Sequence, residues 1–114
     1  MVGSVSTSLE KYMDLLAARQ KLVTSNIANI DTPGYKTKDI DFQSEFQSLL
    51  NGSSSTPAPQ NVSGLKVKND GNNVNIDREA RLLSENAMKF TLASQLIRGQ
   101  IKSIRSAIEE GRSS

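Results

Sequence analysis

Few side chains in this 114-residue chain could do chemistry on a substrate. The nearest approaches to an acid–base pair are Asp39 with Asp41 and Glu109 with Glu110. Two carboxylates divide acid and base roles only when burial and neighbours push their proton affinities apart. Nothing around either pair suggests a pocket, so both read as solvated faces. Asp70-Gly71-Asn72-Asn73 has the opening of a calcium loop. The later acidic ligands of such a loop are missing, which favours a turn that leads into a helix. Cysteine and histidine are both absent. Their absence excludes disulfides, thiol nucleophiles, the usual zinc sites and imidazole bases. No nucleophile, base and orienting group combine into a constellation, so neither an enzyme nor a cofactor or small-molecule site is expected.

The net charge is only +2. A sequence pI near 9.0 raises the question of nucleic acid, but no reading motif accompanies it, and no nucleic-acid partner is expected. Arg98, Lys102 and Arg105 line one side of the last predicted helix, where they are either solvated or paired with acidic groups on a neighbour. No apolar run approaches the about 18 residues of a membrane span. Residues 1–8 are small and polar, unlike a secretory signal, and are expected to be flexible.

The elements that would position these residues are mainly helical. Thr7 and Glu10 form a Thr-x-x-Glu capping box ahead of a helix over residues 9–31. Leu9, Met13, Leu16, Val23, Ile27 and Ile30 recur at steps of four and three along it, a heptad-like seam. Asp31-Thr32-Pro33-Gly34 ends it, with Pro33-Gly34 in the order of a type II turn. Residues 40–50 predict a short amphipathic helix carrying Phe42, Phe46, Leu49 and Leu50. Residues 52–64 are rich in Ser and Pro and read as a mobile linker. Leu65–Lys68 and Val74–Ile76 flank a turn-rich centre and predict a small β-hairpin over 65–75.

A last helix over 76–110 follows, capped by Asn75 or Asp77 and stopped at Gly111, with residues 111–114 as a tail. Its seam is Leu83, Ala87, Phe90, Ile97, Ile101, Ile104 and Ile108. At about 1.5 Å per residue it is a rod of roughly 50 Å. Hydrophobic residues make up 36% of the chain and there is no Trp, which is thin for a self-contained core. The seams therefore either close on each other as a coiled-coil-like helical pair or stay partly bare until a neighbour covers them. Gly99, inside this helix, points to a close helix–helix approach or to local flexibility.

Ser25-Asn26-Ile27-Ala28-Asn29-Ile30-Asp31-Thr32-Pro33-Gly34-Tyr35-Lys36 resembles the signature of bacterial flagellar rod and hook proteins: Asn-Ile-Ala-Asn, two variable residues, then Thr-Pro-Gly-Tyr and a basic residue. A second stretch, Asp70-Gly71-Asn72-Asn73-Val74-Asn75 with Glu79 beyond it, resembles the rod-protein segment leading into the C-terminal helix. Length and the last-helix sequence are most similar to the proximal-rod members of that family. The resemblance implies a structural subunit of the periplasmic drive shaft that transmits torque from membrane ring to hook. It further implies export by the flagellar type III apparatus without a cleaved signal. The partners it implies are other copies, the rod proteins FlgC, FlgF and FlgG, the rod-base adaptor FliE, and the membrane ring and export gate. Within the resemblance Asn26 and Asn29 are turn-fixing residues, and Pro33, Gly34 and Tyr35 are turn and anchor residues. A small coiled-coil adaptor or export chaperone is the alternative, and it would have no need of the Thr-Pro-Gly-Tyr turn.

Overall fold

Steps of three and four between apolar residues, with no proline before Pro33, keep the chain helical from Val2 to Ala28 (α1). The computed structural model describes residues 2–53 and 56–113. Thr7 lies inside α1, so the Thr7–Glu10 capping box does not start it and the expected flexible segment is helical from Val2. Nothing between Val2 and Ser6 breaks a helix. The Ser6 hydroxyl also donates to Gln100 Oε1 at 2.7 Å on the last helix, anchoring the first turns. The C-terminal boundary is Ala28 rather than Asp31. There the Asn29 N–H is shared between Ser25 O at 3.0 Å and Asn26 O at 3.2 Å, and Ile30 N bonds Ile27 O at 3.2 Å, a tightened final turn.

Beyond the turn, Lys38–Asp39 (β1) pairs antiparallel with Gln60–Asn61 (β2), Lys38 opposite Asn61 and Asp39 opposite Gln60. This two-residue ladder replaces the hairpin expected at 65–75, where no strand forms. It also gives the stretch expected to be a linker a defined pairing, while Ser54 and Ser55 lie outside the described residues, as do Met1 and Ser114. Leu65-Lys66-Val67-Lys68 alternates as a strand would. Its Lys68 N–H instead bonds Asn72 O at 2.8 Å and its carbonyl receives Gly71 N at 2.9 Å, a closed turn with no ladder.

Between the two strands, Asp41 caps Phe42–Leu50 (α2) by accepting from Ser44 N at 3.4 Å. Phe42 and Phe46 each meet the Tyr12 ring edge-on at 5.4 Å, a geometry that ring quadrupoles favour. The Lys11 ammonium donates to Leu49 O at 2.9 Å and satisfies a terminal carbonyl of α2.

The last helix, Ile76–Ser113 (α3), starts at an Asn75 cap whose Oδ1 accepts from Arg78 N at 3.1 Å. It runs through Gly111 instead of stopping there. That glycine does not adopt the positive φ of a left-handed cap. α1 and α3 pack antiparallel over Leu15, Leu16 and Val23 on one side and Leu82 and Ala93 on the other. The molecule measures 72 × 26 × 17 Å and its radius of gyration is 18.7 Å, against about 13 Å for a compact domain of this length. It is a helical pair with a small folded elbow at one end.

Candidate functional site

The elbow is built on a buried amide. Asn26, fully buried on the last turn of α1, donates to Glu79 Oε1 at 2.5 Å and to Lys38 O at 2.8 Å. Its Oδ1 accepts from the Tyr35 hydroxyl at 2.9 Å and from Lys38 N at 3.1 Å. Both donors and both lone pairs of one amide are thus satisfied, which no other side chain of that size can do. The bonds tie α1, the turn, β1 and α3 to one point.

A chain of charge runs on from it. Glu79, also fully buried, accepts from Arg78 at 2.6 Å through its second oxygen. Arg78 reaches Asp39 Oδ2 at 2.7 Å. Arg19, one helix away, grips both oxygens of the same carboxylate at 2.9 and 3.1 Å, the two-pronged geometry that guanidinium favours. Ile40 N–H adds a bond to Asp39 Oδ1 at 2.8 Å. Burial pushes the Asp39 carboxyl up. The Arg19 guanidinium, the Ile40 N–H and Arg78 outweigh that and hold it below its usual value of 3.8. Burial likewise works against charged Arg78, and the facing Glu79 and Asp39 raise it above the ordinary arginine value. Asp39 was expected on a solvated face. The structure overturns this because two arginines distant in sequence converge on it. Asp41, its supposed partner, is the α2 cap.

A second set of bonds joins the two sequence motifs. Asn72, fully buried, donates to Asn29 O at 2.8 Å and Thr32 O at 2.9 Å, and its Oδ1 accepts from Val74 N at 2.8 Å. Asn73 Oδ1 accepts from Thr37 N at 2.6 Å, and Asn73 N donates to Tyr35 O at 3.2 Å. Gly34 N donates to Asp70 O at 2.9 Å, and the Lys36 ammonium caps Gly71 O. Asn29 itself donates its side-chain amide to Ser25 O at 2.8 Å, a second bond to the carbonyl that already accepts its N–H. Pro33-Gly34 makes the turn, with Tyr35 N bonded to Thr32 O at 3.2 Å and Gly34 at φ 77°. The Asn26–Lys36 motif and the Asp70–Glu79 motif are therefore two halves of one clasp.

Gly71 sits at φ 87°, and a Cβ there would lie 3.3 Å from Gly34 Cα. Gly71→Ala should cost about 1–3 kcal/mol through the left-handed backbone and the blocked approach. Gly99→Ala, in open helix, should be neutral or slightly stabilising. Thermal unfolding of both variants checks the contrast.

The helix seams fare unequally. Leu16 and Val23 are buried between α1 and α3, while Leu9, Met13, Ile27 and Ile30 are half-buried. On α3 the side facing α1 carries Glu79, Leu82, Asn86 and Ala93, all buried. The Asn86 amide donates to Leu16 O at 3.0 Å and Gln20 Oε1 at 3.2 Å. The expected seam lies on the neighbouring side of the helix. Leu83, Ala87, Phe90, Ile101, Ile104 and Ile108 are exposed, with Ile97 half-buried. Leu16, Ala17, Ala87, Phe90 and Thr91 line an open apolar groove of about 440 Å³ on that side. Among the described residues no group of three or more acidic, His or Cys side chains could hold a metal ion, and no helix is long and apolar enough to cross a membrane.

A family model for the flagella basal body rod protein matches residues 13–36, from the middle of α1 through the turn. The flagellar basal body rod protein FlgB of Yersinia ruckeri is 30% identical over 90% of this chain and 91% of its own length. Those of Borrelia hermsii and Escherichia coli are 31% and 30% identical, over 87% and 90% of this chain and 91% of each relative. The chain belongs to the FlgB family of flagellar basal body rod proteins. As a FlgB-family chain it is a structural rod component associated with other parts of the basal body. The residues matched by the rod-protein model include Asn26, Asn29 and Tyr35, one half of the clasp.

Sequence reasoning did not find Arg19 or Arg78, or the burial of Asp39 and Glu79. Glu79 belongs to the second motif, and a carboxylate in a helix's first turn is favourable on local grounds alone, so nothing local marks its burial. No local pattern marks the arginines, because their shared partner is 20 and 39 positions away.

Proposed function

We propose that this FlgB-family chain is a subunit of the proximal rod and, with its neighbours, transmits torque from the membrane ring to the hook. The observation that supports this most is the outward-facing seam of α3. Six large or small apolar residues at heptad-like spacing lie in solvent on a helix whose first turn is anchored in the clasp through Arg78 and Glu79. Exposed apolar stripes of that length mark association surfaces. Family membership supports FlgC, FlgF, FlgG and FliE as neighbours, the membrane ring and export gate beneath, and export by the flagellar type III apparatus. The chain's role in this reading is mechanical, with no catalytic step.

Deleting the gene tests the reading. Rods and swimming should be lost while the membrane ring persists, and intact rods would sink it. A finer test uses Arg98, Lys102 and Arg105, all exposed on α3 beside the seam. Reversing all three to Glu should reduce rod assembly and leave helicity of the free protein unchanged, since isolated surface charges contribute little to folding. Unchanged rod assembly would remove these residues from the account.

A further inference from the structure

Nine asparagines stand in the chain, and Asn51 alone is followed by glycine. That order has its own chemistry. The backbone nitrogen after an asparagine can attack the side-chain carbonyl, and a following glycine, with no Cβ, hinders the attack least. Ile, Val, Ala, Asp or Asn follows the other eight. Asn51 and Gly52 are exposed at the C-terminal end of α2. Gly52, at φ 94°, closes that helix: its N–H donates to Leu49 O at 3.1 Å and Ser53 N donates to Ser48 O at 3.0 Å, the paired bonds of a glycine cap. Leu49 O also receives the Lys11 ammonium. The nitrogen that would attack is thus bound to the same carbonyl that fastens α2 to α1. The Asn51 ψ of 8° turns Gly52 N toward the Asn51 N–H and away from its Cβ. A five-membered ring needs that nitrogen beside Cβ, so the cap must open first.

α2 is the element best placed to open. It has nine residues, none of them buried, and a helix that short is marginal by itself in water. Its hold on α1 is the Tyr12 ring against Phe42 and Phe46, together with the Lys11 bond. Asp70-Gly71 has the same order with a carboxyl in place of the amide, but it is locked in the clasp. Gly71 N donates to Lys68 O at 2.9 Å, Asp70 Oδ1 accepts from Asn72 N at 3.0 Å, and Gly71 lies against Gly34.

We infer that Asn51 is a self-modification site, converted to aspartate and isoaspartate when the end of α2 comes off α1, and that isoaspartate there dismantles the helix cap. In the open segment, hydroxide takes the Gly52 N–H proton and the nitrogen bonds to Asn51 Cγ. The side-chain nitrogen leaves as ammonia, taking a proton from water, and a cyclic imide remains. Water then opens the ring. Breaking the bond from Gly52 N to Cγ gives aspartate. Breaking the bond from Gly52 N to the Asn51 backbone carbonyl gives isoaspartate, with one more methylene in the main chain and the former backbone carbonyl as a free carboxylate. The lengthened link cannot carry the cap geometry, so Ser48 O and Leu49 O lose their N–H donors. The new carboxylate also stands at the negative end of α2, where charge of that sign is unfavourable. No step depends on the rod role.

The test ages full-length chain in mildly alkaline buffer beside a free peptide of residues 47–53, and reads both by peptide mapping and mass spectrometry. Asn51 should be the first of the nine asparagines to convert. It should convert roughly tenfold more slowly than in the peptide, a ratio that reports how seldom the cap opens. Phe46→Ala removes a ring from Tyr12, and Lys11→Ala removes the ammonium from Leu49 O. Each should raise the rate severalfold, while Asp70 stays unmodified because the clasp remains closed. Chain enriched in isoaspartate should exchange the amides of α2 with deuterium faster than fresh chain, with residues 79–93 unchanged. The proposal is overturned if another asparagine converts first, if folded chain and peptide convert at equal rates, or if neither variant converts faster than wild type. It is equally overturned if Asp70 is modified as fast as Asn51, or if isoaspartate leaves the exchange of α2 as it was.

Discussion

Asn26→Asp should destabilise the fold by about 3–5 kcal/mol, although it changes one buried NH2 to oxygen and adds no volume. The new oxygen would stand where an N–H now reaches Glu79 Oε1 at 2.5 Å and Lys38 O at 2.8 Å. Two acceptors would lose their donor, and a second carboxylate would face a fully buried one. Asn29→Asp is the control. Its amide bonds Ser25 O at 2.8 Å in an exposed setting, so water replaces what is lost and the cost should be near 1 kcal/mol. Urea unfolding at neutral pH measures both, and equal losses would show that the Asn26 amide is not the keystone.

Asp39→Asn should cost about 2–4 kcal/mol at neutral pH, because two largely buried guanidiniums would share a neutral amide in place of a carboxylate. The acid limb of the stability curve gives an independent readout. Asp39 has a folded-state pKa below its unfolded value of 3.8. The unfolded chain therefore binds the proton first as pH falls. The carboxylate's contribution is fully present above about pH 4 and is lost as pH drops through the depressed folded value. Wild-type protein should lose stability steeply below that point and Asp39→Asn less so. Parallel acid limbs in the two proteins would place the acid sensitivity elsewhere.

What could be read from residues alone depended on how local the cause was. Pro33-Gly34 dictates its turn through its own backbone preferences, and the structure has that turn. Long terminal helices packed together with a little β structure between them were also legible, because periodicity and breakers are local signals. The hairpin was not. Leu65–Lys68 alternates correctly, but Asn72 and Asn73, in the expected turn between the strands, have their side chains bonded to Asn29, Thr32 and Thr37, and this holds the segment against the α1 turn. The α3 seam shows the same limit. The most apolar stripe is the natural sequence choice for the face against α1. The face used there instead carries Asn86 and Ala93, one able to bond across to Leu16 O and the other small enough for close packing. A polar contact between distant residues leaves no periodic trace, so the clasp could be located by its motifs without its partners being visible.

The overhang of α3 has a consequence for measurement. Residues 101–112 are exposed throughout, and Gly99 marks a weak link just before they begin. A short helical stub with no packed side is marginal in water. In a lone chain its amides should exchange with deuterium far faster than those of residues 79–93, which lie against α1. Once another molecule lies along the stub, the same amides should slow. That end of the protein is thus a native gauge of occupancy, readable by mass spectrometry without any label.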